Sequence, residues 1–179
     1  MRSFLESEKR NGVVRIQALG NLAKLGTRGK PALSVVLAFK ELLQSPGGFV
    51  NSPHAIEVIH TLMAIAPEDK RVYAVLKSCL ESGDEPRRNY LVINTQIEVI
   101  RALPRTHFNK ESVKILIELL RTETNEGLRE AVAHALGEIG PDAKDAVKLL
   151  EATKIDPSAR VREAAGAALK KINGSHISN

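Results

Sequence analysis

Three residues able to bind a metal or move a proton share one place in a repeating pattern. His60, Glu98 and His134 each stand five residues before an aliphatic residue, Ile65, Leu103 or Ile139, that closes a helical stretch. Imidazole and carboxylate are ordinary zinc ligands and ordinary acid–base partners. Packed helices lie about 8–10 Å apart, whereas donors must approach a metal to roughly 2.0–2.2 Å. Adjacent members of the column can converge, but all three on one ion would demand strong bending. Neither His60 nor His134 belongs to an HExxH pair, and His54, His107 and His176 fall at helix edges, loops or the tail. No metal site is therefore assigned. The chain also lacks GxGxxG, GxxxxGK[ST] and GxSxG patterns, so no catalytic residue and no cofactor is assigned. Gly47-Gly48 in SPGGF reads as a loop, and Glu68-Asp69 and Asp84-Glu85 read as turns. Cys79, in the apolar pattern VYAVLKSCL, reads as a buried structural thiol rather than a nucleophile.

A second chemistry is phosphate binding. Residues 1–50 hold eight Lys/Arg against three acids, residues 51–100 five against seven, and residues 101–179 thirteen against eleven. The net basicity of +5 thus lies in the first quarter, where Arg15, Lys24, Arg28 and Lys30 are candidate phosphate contacts. Against nucleic acid stands the scarcity of stacking groups, with no Trp, two Tyr and four Phe in 179 residues. A solvated surface is the favoured reading of this quarter. With 43% hydrophobic and 26% charged residues, the chain is too apolar for disorder and too charged for a membrane protein. One Cys excludes an internal disulfide framework. A cytoplasmic location is expected, and no signal-peptide run opens the sequence.

The elements that carry these residues follow from an internal rhythm. NLAKLG, TLMAIA, VIRALP, ALGEIG and ALKKIN end on Leu25, Ile65, Leu103, Ile139 and Ile172, in steps of 40, 38, 36 and 33 residues. Three positions earlier stand Leu22, Leu62, Ile100, Leu136 and Leu169, and seven earlier Ala18, Val58, Gln96, Val132 and Ala165. That spacing marks one face of an α-helix, and only Gln96 breaks it. A second helical set lies between, at 31–43, 70–82, 110–122 and 142–154. Gly26 and Gly140 suit helix C-termini. Pro67, Pro104 and Pro141 stop helices, while Ser52-Pro53 and Asp156-Pro157 mark helix starts. No run alternates with period two, so no strand is expected. The expected organisation is one all-α domain over 1–174, with helix pairs at 31–66, 70–104, 110–140 and 142–172. An extra helix is expected at 12–25, a short one at 2–10, and a disordered tail at 175–179.

The stretch from Leu128 to Ile172 resembles HEAT repeats, in particular the short bacterial repeats related to phycobilisome lyases. The pattern of Asp, then Val-Arg-x-Ala-Ala, then Ala-Leu-x-x-Ile is present as Asp156, Val161, Arg162, Ala164, Ala165, Ala168, Leu169 and Ile172. The unit before keeps Leu128, Arg129, Ala131, Val132, Ala135, Leu136 and Ile139, with Glu123 six residues before Arg129 as Asp156 is before Arg162. The resemblance is strong over 110–172, moderate over 12–43 and degenerate over 51–104, where Ala55 and Ile93 hold the arginine positions. It implies a right-handed α-α superhelix in which an acid–Arg pair ties each turn to its helix. It also implies that the second helix of each pair faces the concave side.

The expected working surface is then the ridge nine, five and two residues before each anchor: Ile56, His60 and Met63, then Asn94, Glu98 and Arg101, then Glu130 and His134. Ile56 and Met63 beside His60 form a candidate apolar anchor. The first and last rows are Ile16, Gly20, Ala23 and Glu163, Ala167, Lys170. The resemblance implies a non-enzymatic scaffold that binds another protein, and no membrane. The rivals are a nucleic-acid-binding solenoid working through the basic quarter and a lyase-type enzyme or enzyme subunit. The HEAT-repeat di-iron hydroxylases carry His-Glu dipeptides, which this sequence lacks. The tryptophans of HEAT-like DNA glycosylases are missing too.

Overall fold

The structure is a computed structural model and describes residues 12–42, 52, 54–81 and 89–174. The short helix expected at 2–10, the loop at Gly47-Gly48, the turn at Asp84-Glu85 and the tail at 175–179 lie outside the described residues. All described elements are helical, and the architecture is an all-α helical repeat. The chain packs as two compact units, residues 1–98 and 99–179.

The first unit contains α1 (Gly12–Lys24), α2 (Leu33–Leu42), α3 (Ala55–Ile65), α4 (Lys70–Glu81) and most of α5 (Tyr90–Ala102). The apolar columns of the sequence supply its core: Leu22, Val58, Leu62 and Ile65 are buried, Ala18 is half-buried, and Ile59, outside the columns, is buried with them. Leu25, the first anchor of the rhythm, differs, being 45% exposed at the turn that ends α1. The hydroxyl of Thr61, itself buried, reaches the Glu57 carbonyl of its own helix at 2.7 Å and the Leu19 carbonyl of α1 at 3.2 Å. This bond ties α3 to α1 and gives a buried hydroxyl its partners. Gln96, the one break in the apolar columns, is buried, and its amide donates to the Cys79 carbonyl of α4 at 3.3 Å. Cys79 is itself buried. The polar exception thus has a partner, as a buried amide requires.

The second unit takes the end of α5 and α6 (Asn109–Thr122), α7 (Glu126–Ile139), α8 (Val147–Thr153) and α9 (Ala159–Gly174). Leu103, Leu116, Leu136, Leu150 and Val161 fill its core. α7 opens on a capping residue, Asn125, whose side chain accepts the Leu128 amide at 3.1 Å. α9 packs closely on α7. A Cβ built on Gly137 would stand 2.8 Å from the Ala168 Cα and 3.0 Å from its Cβ.

Two first helices start later than the periodicity predicts. Residues Gly26–Ala32 and Gly140–Ala146 form 3-10 turns before α2 and α8. Both open on a glycine with positive φ, 53° at Gly26 and 70° at Gly140. Both contain a proline, Pro31 or Pro141, which removes a backbone donor that an α-helix would use. The helices expected to start at Ser52-Pro53 and Asp156-Pro157 also begin later. α3 begins at Ala55, with Ser52 accepting the His54 amide at 3.3 Å, and α9 begins at Ala159, with Asp156 accepting the Ser158 amide at 2.9 Å.

The Gly137–Ala168 contact yields a stability test. Gly137→Ala improves helix propensity by about 1 kcal/mol, but its methyl must push the α9 backbone away, costing about 1–3 kcal/mol. The expected net result is a loss on the order of 1 kcal/mol in urea unfolding. The control Gly166→Ala, where a Cβ meets nothing within 4 Å, is expected to gain stability; equal gains at both sites would exclude the close approach.

Candidate partner-binding surface

The second helices present the ridge residues as follows. On α3, His60 is exposed and Ile56 half-buried. Met63 is 3% exposed and belongs to the core, so the apolar anchor expected on this ridge is not there. The pattern of one helix fixes a stripe but not how far a neighbour's crossing covers its flank, and here the cover extends to Met63.

Asn94 and Glu98 on α5 are half-buried. Because a carboxylate only accepts, His60 donates Nε2–H to Glu98 Oε2, at 3.2 Å. The column of the sequence therefore does bring His60 and Glu98 together. Among the described residues no group of three or more His, Cys, Asp or Glu is placed to hold a metal. Arg101, beyond Glu98 on α5, is exposed. On α7, His134 is exposed, and Glu130 lies with its Oε2 3.6 Å from Arg160 Nε of α9. Arg160 also reaches Glu126 at 3.5 Å. What remains exposed on the ridge is polar in both units, with Ile56 half-buried beside it.

In the basic quarter, Lys24 and Arg28 are exposed, while Lys30 forms an ion pair with Glu68. Asp69 beside it carries a second fork, with Arg71 Nε at 3.0 Å, Arg71 Nη2 at 2.9 Å and the Arg71 amide at 2.8 Å. These bonds, and more weakly Arg71 and Lys30 as charges, hold the Asp69 carboxyl down at about 2. Lys30 is thus compensated by an acid that the linear charge count places in another segment. The side chain of Arg15 lies outside the described residues.

A two-pronged ion pair of the second unit crosses between its helix pairs. Arg129 of α7 forks onto Asp156, Nε to Oδ2 at 2.8 Å and Nη2 to Oδ1 at 2.9 Å, while its Nη1 binds the Thr124 carbonyl at 2.7 Å. The two side chains are 15% and 10% exposed. The acid–Arg spacing of six residues suggested pairing within a turn. Instead Arg129 takes a carboxylate 27 residues on, in the leading turn of the next pair. Arg162, six residues after Asp156, binds the backbone carbonyls of Asp156 at 2.7 Å and Pro157 at 2.9 Å. Glu123 is buried and accepts the Asn125 amide at 2.8 Å. The Arg129 fork, ahead of the Ser158 amide, lowers the Asp156 carboxyl against the opposing effect of burial, and the same bond raises the Arg129 guanidinium.

Small-residue helix contacts, a period near 35 residues and an Arg–Asp bond from one pair to the next describe a stacked helical repeat. Comparison with known families matches residues 91–170 to HEAT repeats. Residues 91–170 are HEAT repeats. The match carries the repeat type and not the phycobilisome-lyase subtype. No curated protein and no solved structure matches the chain. Among the described residues of these HEAT repeats and of the helices before them, no helix is long and apolar enough to cross a membrane.

The bond between the HEAT repeats has a pH signature. A carboxyl whose folded value is depressed stabilises the fold above its unfolded value, near 3.9, and loses that contribution as pH falls through the folded value. Asp156→Asn is therefore expected to cost about 1–3 kcal/mol at pH 7 in urea unfolding. The gap to the unaltered chain should narrow as pH falls below about 4. A gap of the same size at pH 7 and pH 3 would exclude the ion pair as its origin.

Proposed function

We propose that this chain is a non-enzymatic protein-interaction module that binds a partner protein along the ridge of its second helices. The observation that carries this reading is the HEAT-repeat match over residues 91–170, since HEAT repeats generally mediate protein–protein interaction. The ridge supports it in chemical terms. His60 and Glu98 in the first unit, and Glu130 and His134 in the second, are polar groups on helices whose opposite faces are buried. Side chains projecting from packed helices lose little further freedom on binding, so their hydrogen bonds convert more fully into affinity. With Met63 in the core and Ile56 half-buried, recognition on this ridge rests mainly on charge and hydrogen bonding, which favour specificity over raw affinity. Asn94 and Arg101 extend the same surface on α5.

The test is affinity capture from native lysate, with and without nuclease, using the intact chain and two variants, Glu98→Arg and His134→Ala. Defined proteins that survive nuclease and fall roughly tenfold in recovery with either variant are the expected outcome. Recovery unchanged in both variants, or material lost on nuclease treatment, would overturn the ridge reading; the second result would move the working surface to Lys24 and Arg28.

A further inference from the structure

We draw no further inference here: the strongest candidate, the acidic stripe of Glu126, Glu130 and Glu138 along one face of α7, is already met in part by Arg160 of α9, and nothing in the structure shows what else covers it.

Discussion

A helix pair with one apolar stripe has no way to bury it alone, and every other feature of this chain answers to that constraint. In the second unit the stripe of α9 is buried against α7, and the two helices meet at Gly137 and Ala168, where neither side chain keeps the backbones apart. The close approach comes first. It sets the leading turn of the last pair within reach of Arg129, and only then does the fork onto Asp156 exist. The magnitudes agree with that order: burying one leucine is worth about 1.5–3 kcal/mol, whereas exposed pairs such as Lys154–Glu151 contribute about 0–1 kcal/mol. Packing holds the stack, and the Arg129–Asp156 bond sets its register.

The parts legible from sequence are those decided by periodicity and by backbone chemistry. Leu62, Ile100 and Leu136 recur at a spacing that admits one face of a helix, and all three are buried. Gly26 and Gly140 stand where a left-handed residue is required, and both have positive φ. Even Gln96, the exception, follows a rule, since a buried amide must find a partner and finds the Cys79 carbonyl. The misreadings share a different origin. Met63 sits at the flank of its helix stripe, and whether a flank is covered depends on how neighbours cross, which no single helix encodes. Lys30 looked like a free cation because its partner, Glu68, lies in another segment of the chain. The Arg129 fork was visible as residue types, but its direction across helix pairs was not, because six residues within a turn and 27 residues between turns both join an Arg to an acid.

The same logic separates two kinds of polar contact. Along the ridge, His60 and Glu98 already satisfy one another at 3.2 Å, so a partner there must offer better hydrogen bonds than the pair it disturbs. Arg129 is in the opposite condition. Its Nη1 is held by the Thr124 carbonyl of its own leading turn, which orients the guanidinium plane, and its Nε and Nη2 then take both oxygens of Asp156. An arginine held in this way loses less rotamer freedom for each further bond than a free side chain does, so the fork holds the leading turn of the last pair in one position. The approach of Gly137 to Ala168 is what brings that turn within reach.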